Sequence, residues 1–531
     1  MKRWLIWSGA AVASLVAAVV VVRLLNPLPS LAGRAATFAV SADQDGVLGS
    51  AIKQSIAEHP DQSGLRLLAD GREAFATRML LARTAERSID AQYYIWHDDL
   101  TGGLLFDELL RAAERGVRVR LLLDDNNTAG LDPLLARLNA HPNIELRLFN
   151  PFTVRSPRLL GWASDFGRLN RRMHNKSFTI DNQVTVIGGR NIGDEYFGAG
   201  GGALFVDLDT LAVGPVVQAT SGNFDAYWNS ASSYPAERIL AADAVRTPLR
   251  RADRTTPVAQ AYLEALRESA LVDQLSGGRP ALTWAPVTLV SDDPSKALGR
   301  AERSDLLITQ LEQILGVTRE RLGLVSGYFV PTQPLIERLA TVAGRGVAVQ
   351  IVTNAYESTD VPVVHSGYAG DRTALLRAGV RLWELKREAG GAAAKRSWRS
   401  GGSGSGSDSS GAGSTSGVPQ GGGQALHAKT FTVDGRRLFV GSFNLDPRSA
   451  QLNTELGFVI DSPELTGFVE QRLRAALPGA AYLVRLDDNG ELEWVEQRGE
   501  RTIVHRTEPG TTVWSRLMVS ALSRLPVEWL L

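Results

Sequence analysis

Two of the seven histidines in this chain of 531 residues stand in the same local setting. His174-Asn175-Lys176 runs through Ser177-Phe178-Thr179-Ile180 to Asp181, and His427-Ala428-Lys429 runs through Thr430-Phe431-Thr432-Val433 to Asp434. Both read H-x-K-x4-D, and both continue through a short apolar strand into a Gly-rich turn ending in asparagine: Gly188-Gly189-Arg190-Asn191 and Gly441-Ser442-Phe443-Asn444. Alternation of Phe178 with Ile180, and of Phe431 with Val433, predicts strands, so each histidine and the lysine two residues on share one face. Asp181-Asn182 and Asp434-Gly435 are hairpin-turn pairs. That position gives the two aspartates a part in turn structure rather than in proton transfer. Each copy thus delivers an imidazole, an ammonium and an amide to one edge.

Such a set suits phosphodiester transfer. The diester is anionic and repels nucleophiles, so cations must offset charge on its non-bridging oxygens. Lys176 and Lys429, helped by Asn191 and Asn444, can do this without a metal. One neutral imidazole can attack phosphorus while a second, protonated, gives its proton to the leaving alcohol. The intermediate is a phosphohistidine, and the roles reverse when the acceptor alcohol arrives. One copy alone would read as a core histidine beside a surface lysine. Two copies with the same downstream hairpin favour one shared site.

The elements that position these residues repeat as well. A first pass is expected as strand Ile89 to Trp96, helix Leu104 to Arg115, Gly116 as cap, and strand Val117 to Leu123. A second pass runs as strand Leu322 to Val330, helix Leu335 to Ala343, Arg345-Gly346, and strand Val347 to Thr353. Strand–helix–strand with a short turn implies parallel strands joined by a right-handed crossover. The expected fold is therefore α/β, in two similar halves, each a mixed sheet flanked by helices, packed around one shared active site.

The paired H-x-K-x4-D segments resemble the phospholipase D superfamily, and the order of motifs is similar to that of the bacterial cardiolipin synthases within it. The likeness runs from about Leu48 to Leu531. Softer features of it are Tyr93-Tyr94-Ile95-Trp96, Phe205-Val206-Asp207-Leu208-Asp209, Asn453-Thr454-Glu455 and Leu525-Pro526-Val527-Glu528. The resemblance implies an acidic residue from each half behind a catalytic histidine, and Asp207 and Glu455 match those positions. A carboxylate on Nδ1 would hold the imidazole so that Nε2 is free to attack. Asp207 could instead form a strand-end salt bridge, with Asp209 filling its role. The resemblance also implies that His174 is the nucleophile and His427 the acid, a choice that the near-symmetry of the motifs leaves open. It implies phosphatidyl transfer between phospholipids to give cardiolipin, with phosphatidylglycerol as substrate and phosphatidylethanolamine as a second candidate. Neither a cofactor nor a metal is expected, and no accessory protein is assigned. Hydrolysis by the same residues would make phosphatidic acid; a nuclease and a catalytically dead membrane scaffold are the remaining alternatives.

Composition bears on these. The 57 basic and 57 acidic residues balance, whereas a protein that grips nucleic acid needs a basic surplus; no nucleic-acid partner is expected. The absence of cysteine excludes disulfides, thiolate metal sites and a cysteine nucleophile. Lys2 and Arg3 precede an uncharged stretch, Trp4 to Val22, long enough as a helix (about 28 Å) for a ~30 Å hydrocarbon core. Residues 1–30 therefore read as a membrane anchor or, with Ser30-Leu31-Ala32 as cleavage site, a signal segment. The expected location is the bacterial inner (cytoplasmic) membrane, with the catalytic part on the outer side.

The halves are expected at 48–235 and 281–480, joined by a helical connector, 236–280. A Gly/Ser-rich insertion at 388–424 has too little to bury to order itself. A C-terminal extension, 481–531, carries Trp514, Leu517, Met518, Ala521, Leu522 and Leu525 at helical spacing. That helix would lie in the lipid interface or pack on the domain. Asp360 to Tyr368, a Pro-containing loop with His365 and Tyr368, reads as an ordinary surface loop rather than as a contact for substrate head groups. His97 beside Asp98-Asp99 has no second histidine at ligand spacing.

Overall fold

A computed structural model describes residues 2–42, 46–199, 204–241, 253–267, 281–316, 318–387 and 424–522. Two mixed sheets form its two halves. From edge to edge the first is Thr283–Ala285, Ser63–Leu68, Asp209–Val213, Val184–Gly188, Ser177–Ile180, Ser88–Tyr93, Arg118–Asp124, Ile144–Phe149 and Ser233–Pro235. The second repeats that order: Val287–Ser291, Leu456–Asp461, Arg437–Gly441, Lys429–Val433, Arg321–Ser326, Ala348–Asn354 and Arg381–Leu385, followed by Ala481–Leu486, Leu492–Arg498 and Arg501–His505. The C-terminal strands thus widen the second sheet. The chain passes from one sheet to the other at Pro286, between two edge strands.

In each half the three strands of the crossover units are parallel, and the histidine-bearing hairpin joins them antiparallel. The helices start where capping chemistry dictates. Asp99 accepts from the Gly102 amide and begins Leu100–Glu114, earlier than the expected Leu104. The first strand ends at Tyr93 rather than Trp96, because Trp96 leaves the ladder for a lone bridge to Ile192.

Residues 181 and 434 sit at positive φ, +52° and +54°, as a tight hairpin turn requires. Their carboxylates reach sideways to the adjoining strand. Asp181 accepts from the amides of Glu86, Arg87 and Ser88 at 2.9, 2.8 and 2.8 Å. Asp434 does the same for Arg319, Glu320 and Arg321 at 3.0, 2.8 and 3.1 Å. Each aspartate thereby pins the hairpin to the entry of the first crossover strand.

One apolar core fills the first half and another the second. A third spans the junction, where Leu65, Ile187 and Ala212 meet Leu438, Val440 and Phe458. Backbone joins the halves too: Leu204–Val206 pairs with Gln424–Leu426 as a parallel ribbon, and Met173 bridges Thr454.

The Asp360 to Tyr368 segment departs from expectation. Pro362 opens a helix, Pro362–Ala369, with His365 and Tyr368 buried. His365 meets Glu508 of the C-terminal extension at 2.6 Å, while Tyr368 donates to Glu384 at 2.8 Å. The His365–Glu508 contact ties the extension to the second half. The N-terminal segment forms the helix Lys2–Leu25; among the described residues no helix is long and apolar enough to cross a membrane. The C-terminal helix is described as Val513–Leu522. Insertion residues 388–423, connector residues 242–252 and 268–280, and Leu525-Pro526-Val527-Glu528 lie outside the described residues; Gln424 begins a strand.

Candidate active site

His174 and His427 stand at the entrances of matching strands, and their imidazoles and lysines are buried. The carboxylates behind them come from the opposite halves. His174 Nδ1 meets the Glu455 carboxylate at 2.9 and 3.0 Å, and His427 Nδ1 meets Asp207 Oδ2 at 2.6 Å. Backbone contacts set these crossings: the His174 amide donates to the Thr454 carbonyl and the His427 amide to the Val206 carbonyl, each at 2.9 Å. The carboxylate at Nδ1 fixes the orientation of each ring. Asp209 is elsewhere, paired with Arg78 at 3.0 Å and Arg190 at 3.4 Å.

The two carboxylates are cradled differently. Gly189 and Ser442 hold matching places in their turns. A Cβ at Gly189 would lie 2.1 Å from Asp207 Oδ1, so only glycine leaves room for that carboxylate. Ser442 instead donates its hydroxyl to Glu455 Oε2. Asp292 holds the Glu455 backbone, accepting from its amide at 2.9 Å, and pairs with Lys296 at 2.9 Å.

Lys176 Nζ donates to the His174 carbonyl at 2.7 Å, and Lys429 makes the matching bond to the His427 carbonyl. Each ammonium also lies near an aromatic face, 5.6 Å from Tyr94 and 5.7 Å from Tyr328. The rings of those tyrosines pack edge-on against the histidines, Tyr94 on His174 and Tyr328 on His427. Tyr196 packs on His427 as well. Asn191 is held within the protein: its carbonyl accepts from the Ile95 amide at 3.2 Å and its amide donates to Tyr196 at 2.9 Å. Asn444 differs, with a buried Oδ1 that has no hydrogen-bond partner among the described residues.

Electrostatics separates the two histidine–carboxylate pairs. Burial would raise the Asp207 carboxyl, but the adjoining His427, then Lys429 and Arg190, overcome it and hold it at about 2. Burial dominates at Glu455, lifting it to about 7 against the pull of Lys176. Burial lowers Lys176 to about 7 despite Glu455, and lowers Lys429 too. His174 is pushed well below its ordinary value by burial and then by Lys176 and Lys429. His427 falls to about 3 through burial and Lys429, against Asp207. Both imidazoles therefore feel both lysines, which places all four groups within one field. Two depressed ammoniums in a buried pocket are a site that gains from an incoming anion.

The tyrosines, Ser442 and Asp292 were not legible as site residues; the matching places of Tyr94 and Tyr328, just beyond the first strand of each pass, were the available signal. His97, Asp99 and Glu195 bring ligand-type atoms within 4.8 Å of one another. Both Asp99 oxygens are committed to backbone, however: Oδ1 to the Gly102 amide at 2.9 Å and Oδ2 to the Asp194 amide at 2.7 Å.

Comparison with known proteins agrees with this architecture. The family model described as "Cardiolipin synthase, PLD-like domain" matches residues 80–228 and 311–476, one segment in each half. Cardiolipin synthase C of Escherichia coli K12 is 46% identical over 492 residues, covering 91% of this chain and 99% of that protein. A cardiolipin synthase of Staphylococcus aureus is 25% identical over 408 residues, covering 77% of this chain and 66% of its own. The crystal structure of a phosphatidylserine synthase from Haemophilus influenzae Rd KW20 shares the fold, with a TM-score of 0.55 at 14% identity over 90% of this chain and 98% of that one. With its two matched segments and a relative of near-equal length, this chain belongs to the cardiolipin synthase family of phospholipase D-like proteins.

Proposed function

We propose that the chain makes cardiolipin by moving a phosphatidyl group between phospholipids through a phosphohistidine, with phosphatidylglycerol as substrate. The observation that carries this reading is the crossed pair of histidine–carboxylate contacts around two buried lysines. A phosphodiester entering between the lysines restores the charge balance that burial has upset, so its binding energy is directed at the reacting group.

The unequal carboxylates support unequal roles. His174 faces a carboxyl that burial holds near 7 and two ammoniums, which favours the neutral imidazole a nucleophile needs. His427 faces an ionised Asp207, which works against the burial and the Lys429 charge that lower its imidazole, and so favours the imidazolium a general acid needs once the substrate anion has offset the lysines. In the first step Nε2 of His174 attacks phosphorus, the P–O bond to the leaving alcohol breaks, and His427 gives that alcohol its proton. In the second, neutral His427 takes a proton from the acceptor hydroxyl, which displaces His174 and forms the new diester.

Burial of both histidines limits water at the phosphohistidine, and this supports transfer over hydrolysis. The setting is a membrane. The Lys2–Leu25 helix exposes Trp7, Val12, Leu15, Val16, Val20 and Val21, which supports contact with lipid. The Val513–Leu522 helix leaves Trp514 (78%), Leu517 (56%) and Met518 (64%) exposed, which supports its lying in the interface.

The test is product analysis by mass spectrometry after incubation with phosphatidylglycerol, alone and with phosphatidylethanolamine. Cardiolipin with released glycerol or ethanolamine is expected. Phosphatidic acid as the main product would replace transfer by hydrolysis, and no lipid product would overturn the reading.

A further inference from the structure

The two halves repeat one fold, and in the second a hollow lies beneath the helices on one face of the sheet. A cavity of about 430 Å³ lies between the second sheet and the helices Leu307–Gly316 and Gln333–Gly344. Its floor includes Leu324, Phe431 and Phe439. These three belong to the second half's core, as the matching Ala91, Phe178 and Val186 belong to the first half's. There a third helix, Pro257–Arg267, backs Gly71–Thr84; no third helix backs Leu307–Gly316 among the described residues. Protein interiors keep few voids larger than a water molecule. A hollow of this volume calls for an occupant.

Its walls say what kind. The volume falls in the ~300–1,000 Å³ range of ligand pockets, which pair apolar walls with a few placed polar groups. At the solvent-exposed end Arg303 and Arg338 share Glu312 at 3.2 and 3.4 Å, and with Arg437 and Asp446 also in the lining the basic groups outnumber the acidic ones. Apolar depth beneath a cationic rim suits an amphiphile with an anionic head. The floor is also continuous with the active site. Lys429, Phe431 and Val433 project from one face of one strand, about 7 Å apart in succession, and Phe443 and Leu445 line the cavity on either side of Asn444.

Building on the lipid-transfer reading, the geometry points to a second lipid site. One acyl chain of a non-reacting anionic phospholipid lies on Leu324, Phe431 and Phe439, and its phosphate rests at Arg303 and Arg338. This lipid is distinct from the one whose phosphate meets His174, and through the strand that carries Lys429 its presence supports the active site.

The experiment uses the full chain in nanodiscs of phosphatidylglycerol containing a trace of phosphatidylglycerol with a diazirine at one chain terminus. After irradiation, labelled peptides are mapped by mass spectrometry, and cardiolipin formation is measured in the same discs. Label is expected on peptides carrying Leu311 or Phe439 to Leu445, reduced at least tenfold by Ala450→Trp, which fills the hollow. Reversal of the exposed rim charges, Arg303→Glu with Arg338→Glu, gives the same loss without touching the core. Label confined to the Lys2–Leu25 and Val513–Leu522 helices would overturn the site. Cavity labelling in an enzyme that makes no cardiolipin would uphold the site and sink the transfer reading; cardiolipin without cavity label would do the reverse.

Discussion

Replacing Asp207 by asparagine isolates the acid half of the proposed reaction. The carboxylate is fully buried, accepts from His427 Nδ1 at 2.6 Å, and is held ionised down to about pH 2 by His427 and Lys429 against the effect of burial. A hydrogen bond to a charged group contributes ~1.5–3 kcal/mol, and 1.36 kcal/mol is tenfold in rate, so losing the charge costs ~10 to 150-fold in stabilised imidazolium. An asparagine also invites the wrong tautomer, and in the serine-protease triad the same exchange costs about 10⁴ in kcat. A fall of ~10² to 10⁴ is expected. The assay is single-turnover formation of the radiolabelled, acid-labile phosphohistidine. With a glycerol leaving group the full loss should appear, because glycerol needs the proton. With a nitrophenyl ester, which departs without one, formation should recover to within about tenfold of the parent enzyme. Equal loss with both leaving groups would refute the assignment of the acid to His427, and near-parental turnover with glycerol would refute the orienting role of Asp207.

Glu455→Gln should change the pH dependence of stability in a known direction. Folding raises this carboxyl from 4.5 to about 7 through burial, so its contribution is fully present below about 4.5 and is lost as pH rises through 7. The stability of the glutamine variant relative to the parent should therefore be higher at pH 8 than at pH 5, by about 2.5 kcal/mol, in denaturant titrations at the two pH values; a pH-independent difference would contradict the buried carboxyl. Asp181→Ala leaves three backbone amides without their acceptor, and should lower stability by ~3 kcal/mol while phosphohistidine formation persists at reduced temperature. Loss of the intermediate in the folded variant would instead make Asp181 part of the chemistry. Trp514→Glu with Leu517→Glu places charge on the exposed face of the C-terminal helix, and should weaken vesicle flotation by at least tenfold without altering the far-ultraviolet circular dichroism; unchanged flotation would return that helix to a purely structural role.

The parts of this molecule that could be read from its sequence are those set by local chemistry. Period-two alternation in Phe178/Ile180 and Phe431/Val433 and turn pairs at Asp181-Asn182 and Asp434-Gly435 define the two hairpins without outside help, and the repeat of strand, helix and strand defines the halves. Contacts made by docking left no comparable mark. Glu455 lies 281 residues from His174, and Asp207 lies 220 from His427. Nothing in either segment says that the carboxylates exchange halves. Pro362 at a first helical position was a legible start signal. What buries His365 is Glu508, which belongs to a strand-rich extension whose place beside the second sheet no periodicity reveals. The hollow in the second half is likewise a product of packing that the pattern does not state.

The exchange of carboxylates gives a physical reason for both halves to persist in one chain. Each half supplies the imidazole of one pair and the carboxylate of the other, so under the proposed mechanism neither contains a complete acid or a complete nucleophile. The backbone bonds from His174 to Thr454 and from His427 to Val206 cross the same junction, as does the core of Leu65, Ile187, Leu438 and Val440. A displacement of one half along that junction would stretch both histidine–carboxylate contacts together, and misplacement by about 1 Å is enough to cost ~10²-fold in rate. The duplicated fold therefore needs its apolar junction as much for reactivity as for stability. The residues that pack between the halves hold the site in register, although they never touch the phosphate.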